Sequence, residues 1–183
     1  MSAKRSNSQP LDMPRLEEMA LAYVARFATT QAKLRIYLRR KLRERGWNGE
    51  VEPPVEELVE RYVRLGYVDD EGWARMKSGS LLRRGYGGRR IGEALSHAGV
   101  GEDLRADFVP DEAQERMAAL TLAKRRRLGP FAQVQPDRAV REKHLAAMLR
   151  AGHRLDIARR IIDACDGEAA ESWVAEANDL EGY

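Results

Sequence analysis

The chain has 183 residues, of which 43% are hydrophobic and 33% are charged, with a net charge of +3. Its single cysteine, Cys165, excludes an internal disulfide, and no apolar run approaches the ~20 residues that cross a bilayer. Only 7% of the residues are aromatic, whereas Ala, Leu, Arg and Glu dominate, which favours an all-α fold. Met1–Pro10 lacks the apolar segment of a secretory signal, so we expect a cytoplasmic protein with a disordered N-terminal arm over residues 1–14.

Apolar side chains recur at helical spacing after this arm. From Leu16 to Phe27 they follow the i, i+3, i+4, i+7 pattern, which predicts a first amphipathic helix whose aromatic side chains pack in the core. Thr29 or Thr30 is placed to cap a second, strongly basic helix. Gly46 is the predicted end of that helix.

A third helix is predicted directly after Pro54, because Val55–Val63 repeats the amphipathic pattern and Gly66 follows it. Asp69 and Asp70 then stand where a new helix begins. Together with Glu71 they form an acidic run that allows two interpretations, a helix cap or a Mg²⁺ or acid/base cluster. Helix capping is the simpler one.

A repeat runs through the chain. Gly46, Gly99 and Gly152 each follow an apolar-x-x-x pattern, and they stand 53 residues apart. We therefore predict an elongated tandem array of three three-helix, helix-turn-helix-like repeats, since no unit of this size buries a generous core alone. The predicted boundaries are residues 15–68, 69–109 and 110–166, followed by an acidic C-terminal tail over residues 167–183.

Two segments depart from this repeat. Leu128–Pro136 contains Gly129, Pro130 and Pro136, so we expect an exposed loop that interrupts the third repeat. The acidic composition after residue 167 favours a mobile tail over a further helix.

The side chains that support catalysis are sparse. His97, His144 and His153 are far apart and match no metal-binding spacing, so each is interpreted as an ordinary core or surface histidine. Gly85–Arg90 has the glycines and arginines of a phosphate-contacting turn, but it lacks the P-loop pattern, and a plain helix connector remains the alternative. We predict a binding protein without enzymatic activity, cofactor or metal.

Basic clusters are the strongest functional signal. They contact nucleic-acid phosphates or an acidic protein groove in one interpretation, and they form solvated helix faces in the other. A basic second helix in the first two repeats, with a third cluster before the last, favours the binding surface. The candidate residues are Arg35, Arg39, Arg40, Lys41, Arg43, Arg83, Arg84, Arg89, Arg90, Lys124, Arg125, Arg126 and Arg127.

Three blocks of the sequence resemble the RecX family over roughly Leu16–Val109. They are Leu38–Trp47, Leu65–Ala74 with its "LGY-DD---A" pattern, and the following "G---I---L---G" block from Gly85 to Val100. This resemblance implies tandem three-helix repeats, no catalytic residues, and a partner, the RecA recombinase filament on DNA. It also implies inhibition or modulation of recombinase, ATPase and co-protease activities, within the SOS response and homologous recombination. The third repeat departs most from the family pattern.

Together these features predict a monomer that binds RecA filaments and, weakly through phosphates, single- or double-stranded DNA, without membrane contact. A tandem helix-turn-helix transcription regulator is the main alternative, and it requires sequence preference. The chain has no evident dimerisation helix, and its basic faces carry few Asn or Gln side chains for adenine recognition. An adaptor for acidic proteins is a third possibility.

Overall fold

The computed structural model describes residues 9–180, with side chains described for residues 9–177. That part of the chain is all-α, as predicted, with no β-strand. Residues 1–8 of the predicted arm and residues 181–183 of the predicted tail lie outside the described residues. The helices are α1 (Met13–Arg26), α2 (Gln31–Arg45), α3 (Val55–Arg64), α4 (Asp70–Arg83), α5 (Gly88–His97), α6 (Glu102–Ala106), α7 (Glu112–Arg126), a 3-10 helix (Gly129–Phe131), α8 (Arg138–Arg150), α9 (Leu155–Ile162) and α10 (Gly167–Leu180).

The chain divides into two compact units. The first unit comprises the residues up to Trp73 together with Ala98–Val100, and the second comprises Ala74–His97 and the residues from Gly101 onward. Eight of the described helices, α2 to α9, lie within the predicted repeat boundaries, while α1 begins at Met13, before the predicted start at residue 15. The division into three repeats itself stays a prediction.

The first unit is built by α1, α2 and α3 around an aliphatic core. Asp12 caps α1 by accepting a hydrogen bond from the Arg15 amide, and Thr30 caps α2 as predicted by accepting one from the Lys33 amide. Both caps precede amphipathic segments, so the helices begin where their apolar stripes begin. The buried side chains are Leu16, Ala20, Val24, Leu34, Leu38, Val55, Leu58, Val59 and Tyr62.

The end of the predicted disordered arm belongs to this core. Leu11 is fully buried, its amide donates to the Gly46 carbonyl at 2.9 Å, and its carbonyl accepts from the Asn48 amide at 2.8 Å. The prediction of disorder over residues 1–14 is therefore wrong from Leu11 onward, because one apolar side chain and two backbone hydrogen bonds tie this segment to the turn after α2.

The two aspartates of the "LGY-DD" block act as helix caps. Asp69 Oδ1 accepts from the Gly72 amide at 2.9 Å and so caps α4, as predicted. Asp70 Oδ1 accepts from the Gln31 amide at 2.9 Å, which satisfies an unpaired N–H at the start of α2. The capping interpretation therefore accounts for both carboxylates, and Asp70 ties the second half of the first unit to the basic helix.

The repeated glycines occupy equivalent turns. Gly46, Gly99 and Gly152 have φ values of +81°, +73° and +94°, which L side chains rarely adopt. The residue before Gly99, Ala98, accepts from the Thr30 hydroxyl at 2.6 Å, and the residue before Gly152, Ala151, accepts from the Gly87 amide at 3.0 Å. Each later turn thus docks on the residue that precedes an earlier basic helix.

The second unit has its core among α7, α8, α9 and α10. Its buried side chains are Ala119, Leu120, Leu122, Ala123, Leu128, Leu145, Met148, Ala151, Ile157, Ala158, Ile161, Ile162, Ala170 and Val174. Hydrogen-bonded N-caps at Asp111 and Asp137 begin α7 and α8.

One prediction about this unit is wrong, and a second is wrong only for its first residues, since Gln133–Gln135 are exposed. Residues 167–180 are not a mobile tail, because α10 buries Ala170, Val174 and Ala177 while Glu168, Glu171 and Glu176 are exposed. The predicted exposed loop at Leu128–Pro136 begins in the core, since Leu128 and Gly129 are buried and a 3-10 turn follows. Apolar residues at helical spacing outweigh the acidic composition in the first case.

Candidate functional site

The basic helix α2 carries the largest predicted cluster, and most of its cations have carboxylate partners. Arg35 Nε lies 2.7 Å from Glu56 Oε2, and Arg39 Nη2 lies 2.8 Å from Glu56 Oε1. One carboxylate of α3 thus bridges two arginines one turn apart. Because these side chains are substantially exposed, their ion pairs are weak and exchangeable for another anion.

The other half of this cluster surrounds Glu44. Lys41 Nζ lies 2.6 Å from Glu44 Oε2 and Arg40 Nε lies 3.6 Å from Glu44 Oε1. The hydrogen bond from Lys41 lowers the pKa of the Glu44 carboxyl, which favours its charged form. Arg43 is exposed and makes no ion pair within the described residues. Five cations therefore face two carboxylates, and the surface remains basic.

The glycine-rich turn before α5 acts as a connector. The Gly87 amide donates to the Ala151 carbonyl at 3.0 Å and the Arg89 amide donates to the Gly152 carbonyl at 3.2 Å. A Cβ atom on Gly87 would lie 2.4 Å from the Gly152 oxygen. The backbone donors that an anion site needs are therefore used in packing, which favours the connector interpretation of this turn.

The arginines that flank this turn remain at the surface. Arg90 Nη1 lies 3.1 Å and Arg89 Nη1 3.5 Å from Glu93, and Arg89 also donates to the Leu149 carbonyl. Arg83 and Arg84 are exposed, and the Arg84 guanidinium lies 5.2 Å from the Tyr86 ring centroid. Arg89 thus has a structural contact, whereas Arg83 and Arg84 extend to solvent.

The end of α7 presents the most open basic cluster. Lys124 Nζ lies 2.7 Å from Glu171 Oε1 of α10. Arg125, Arg126 and Arg127 are exposed and make no ion pair in the described part of the chain. Cations in a last helical turn also complement the negative end of the helix dipole, so part of this cluster has a structural role.

The second unit brings two of the predicted clusters near each other. A Cβ atom on Gly85 would lie 2.8 Å from the Leu122 amide nitrogen, so the turn after Arg84 packs directly on α7. Leu122 precedes Arg126 by one helical turn, about 5.4 Å along the axis. Arg83 and Arg84 thus share a region with the end of α7, while Arg35–Arg43 belong to the first unit.

Three ionisable side chains of the second unit, two buried and one half-buried, make structural contacts. His153 Nε2 lies 3.1 Å from the Gly85 carbonyl oxygen, and burial lowers the pKa of this imidazole. Burial raises the pKa of Glu115, which lies 3.6 Å from Arg154. His144 Nδ1 accepts from the Gly129 amide at 3.0 Å. Each of these three side chains contacts a neighbouring helix or turn, so we assign it a structural role.

Among the described residues, no group of three His, Cys, Asp or Glu side chains is placed to hold a metal ion. None of the described helices meets the length and hydropathy that a membrane span requires.

Comparisons with known proteins identify the family. A regulatory protein RecX from Myxococcus xanthus is 40% identical over 159 residues, which cover 81% of this chain and 84% of that protein. The chain belongs to the RecX family. A RecX relative from Thermus thermophilus is 33% identical over 169 residues, which cover 90% of this chain and 96% of the relative. No family model matches the chain.

A solved RecX structure has the same fold. The crystal structure of RecX from Lactobacillus salivarius superposes with a TM-score of 0.65 at 19% identity, covering 82% of this chain and 94% of that one. The structural comparison extends past Val109, where the recognisable RecX pattern in the sequence ends.

Two exposed apolar residues of the first unit, Phe27 and Ile36, were not predicted. Phe27 was predicted to pack in the core, yet its side chain is 52% exposed, and Ile36 of α2 is 62% exposed. The sequence pattern does indicate that Ile36 is exposed, because this residue stands outside the Leu34–Leu38 stripe. For Phe27 the helical spacing is correct, but the residue is the C-cap of α1, where the chain turns away from the core.

Proposed function

We propose that this chain binds the filament that a RecA recombinase forms on DNA and regulates the recombinase, its ATPase and its co-protease activity. The observation that carries the proposal is the 40% identity to a regulatory protein RecX over 81% of the chain. The resemblance of the "LGY-DD" and glycine-rich blocks to the RecX family supplies the partner.

The charge distribution supports binding rather than chemistry. Basic clusters lie on both units, and several of their arginines lack carboxylate partners within the described residues. Such surfaces steer association with acidic protein grooves or exposed phosphates, and their effect decreases with salt. Engagement of adjacent filament subunits requires an interface on the order of 1,200–2,000 Å² in total, which would change filament growth without any bond being broken.

The proposal includes no enzymatic step and no cofactor. We assign the chain to the cytoplasm as a monomer, with RecA as its principal partner. Its contact with single- or double-stranded DNA is weak and made through phosphates. The arginine- and lysine-rich surfaces of α2 and α7 are the proposed contact sites, because phosphate and carboxylate groups both pair with them.

Co-sedimentation with purified cognate RecA on poly(dT) tests this function. The chain should pellet with the filament at protein concentrations at which poly(dT) alone retains little of it, and the difference should decrease as salt rises. Binding to one duplex sequence selected from a random pool, without retention on the filament, would contradict the proposal. That result would favour a helix-turn-helix transcription regulator instead.

A further inference from the structure

A groove between the end of α1 and the length of α2 is unexplained by the fold. It encloses about 490 Å³ within the first unit. The rings of Tyr23 and Tyr37 form its floor, stacked at 4.2 Å between centroids and 13° between planes. The Phe27 ring lies 5.5 Å from Tyr23 and extends this aromatic surface to the end of α1.

The rim of the groove exposes apolar side chains that the core leaves uncovered. Phe27 is 52% and Ile36 is 62% exposed, and both line the groove. Exposed apolar side chains that gather at one concave surface mark contact sites on soluble proteins, since water is displaced from them when a partner binds.

The charges of the groove have one sign. Arg40 lies with its guanidinium 5.7 Å from the Tyr37 ring centroid, and the Lys33 ammonium lies 3.7 Å from that of Trp73. Both side chains line the groove, and none of its described lining residues carries a carboxylate. Glu44, which lies 3.6 Å from Arg40, stands outside the lining. An occupant of this groove should therefore be apolar at its centre and negatively charged beside it.

One polar group in the wall also lacks a partner. The Thr29 hydroxyl is buried in a residue that is 3% exposed, and it makes no hydrogen bond within the described structure. A buried hydroxyl without a partner is costly, but this oxygen is closed to solvent, so an occupant of the groove as described does not reach it. Thr29 lies in the link between α1 and α2, at the edge of the exposed apolar side chains.

We propose that this groove receives an acidic segment of a partner protein, with an apolar anchor between Phe27 and Ile36 and carboxylates facing Lys33 and Arg40. A protein segment fits better than nucleic-acid bases. Tyr23 and Tyr37 each present one ring face to the other, and the Arg40 guanidinium lies by the Tyr37 ring. The aliphatic Ile36 beside the exposed Phe27 ring suits an apolar side chain better than a stacked base. The identification of the partner as the RecA filament rests on the proposed function. The chemistry inferred for the occupant does not depend on it.

The first test removes the apolar rim. The double variant Phe27→Ala, Ile36→Ala should lose at least about tenfold in affinity for purified cognate RecA on poly(dT), as anchors at an interface do. Leu21→Ala is the matched control. Leu21 is 46% exposed on the same helix but lies six positions from Phe27, about 120° around the axis, and it does not line the groove. Circular dichroism checks that each variant is folded.

The second test is independent of RecA. A short synthetic peptide with a central Phe and Leu flanked by glutamates should shift the NMR signal of the Ile36 methyl group, whereas the same peptide with lysines should not. Arg40→Glu should lower the affinity for the acidic peptide at least about threefold and raise the affinity for the basic one.

The outcomes separate the groove from the proposed function. If the wild-type chain binds the filament and the double variant binds within twofold of it, the groove proposal is overturned. An equal loss of affinity for oligo(dT) without RecA overturns it as well, because the groove then binds nucleic acid. If the wild-type chain does not bind the filament, the proposed function fails. Binding of the acidic peptide then decides whether the groove is a protein-docking site.

Discussion

The first and the last of the three repeat glycines have different surroundings. In the first unit, a Cβ atom on Gly46 would meet nothing within 4 Å, whereas in the second unit a Cβ atom on Gly152 would lie 2.4 Å from the Arg90 amide nitrogen. The first turn is held by Leu11 through backbone hydrogen bonds, and the last turn is pressed against the start of α5. Gly46 therefore has a conformational role and Gly152 a packing role. Gly99 of the first unit is packed as well, since a Cβ atom there would clash with the Ala32 side chain.

The units also differ in what they bury and in what they leave charged. The described core of the first unit includes two threonines among its polar residues, while that of the second includes His153 and Glu115. The α2 cations are mostly paired, whereas the arginines at the end of α7 are open. We therefore expect pH to change the stability of the second unit more than that of the first. We also expect salt to change anion binding more strongly at the end of α7 than at α2.

The largest expected effect is a difference in stability between variants of the first and the last repeat turn, at Gly46 and Gly152. Gly152→Ala should lower the free energy of unfolding by about 3 kcal/mol or more, since the added methyl meets backbone that cannot move aside. Gly46→Ala should cost about 1–2 kcal/mol, from backbone conformation alone. Urea unfolding followed by circular dichroism measures both.

Gly92→Ala is the control for that comparison. Gly92 lies within α5, where a Cβ atom meets nothing within 4 Å, so this variant should be neutral or more stable by up to about 1 kcal/mol. Equal losses for Gly46→Ala and Gly152→Ala would show that the last turn does not pack as described.

The next effect compares the basic clusters. Arg125→Gln with Arg126→Gln should weaken binding to oligo(dT) by roughly three- to tenfold at low salt and reduce the slope of log affinity against log salt by about 1.4. Arg35→Gln with Arg39→Gln should do less, because Glu56 already offsets one of those charges. Fluorescence anisotropy across a salt series measures both quantities. A larger effect from the α2 pair would reverse our assignment of the more open surface.

A smaller effect concerns His153. Burial lowers the pKa of this imidazole below 6.5, so the unfolded chain binds its proton first as pH falls. Stability should therefore decrease as pH falls below 6.5, at no more than about 1.4 kcal/mol per pH unit until the folded pKa is reached. His153→Gln keeps a donor for Gly85 and should flatten this dependence. Urea titrations at pH 5 and pH 7 provide the comparison, and identical pH dependence in the two chains would refute the role of His153.

The smallest effect concerns Glu115. Burial raises the pKa of this carboxyl above 4.5, so its ionisation costs stability, and the cost grows as pH rises through the folded pKa. Glu115→Gln should raise the free energy of unfolding at pH 7 by less than about 1 kcal/mol and lose this advantage near pH 4. The exposed Glu112→Gln should not stabilise the chain, because Glu112 pairs with Arg116 in the first turn of α7. Destabilisation by Glu115→Gln at pH 7 would mean that the pairing with Arg154 outweighs burial.

The sequence predicted most of the fold because its signals are local. Thr30, Asp69 and Gly46 cap or end helices through backbone contacts within a few residues, and they lie where propensity alone places them. The contacts that join distant residues were not predictable. No residue near Asp70 in the sequence indicates that its carboxylate accepts a hydrogen bond from the Gln31 amide. No residue near Leu11 indicates that its backbone is hydrogen-bonded to the turn at Gly46.

The candidate site was predictable only in its charge. Arg125 and Arg39 look alike in the sequence, and only the tertiary position of Glu56 distinguishes a paired arginine from an open one. The helical spacing of Phe27 indicated a core residue, but the end of α1 turns it outward. Partner surfaces depend on such tertiary placement, whereas capping and periodicity do not.

The ATPase rate of cognate RecA on single-stranded DNA, titrated with this chain at two salt concentrations, tests the central claim most directly. Our account predicts inhibition at less than one chain per RecA subunit, weakening as salt rises, because bound chains would restrain the growth of whole filaments. An unchanged rate at molar excess, at both salt concentrations, would contradict regulation of RecA by this protein.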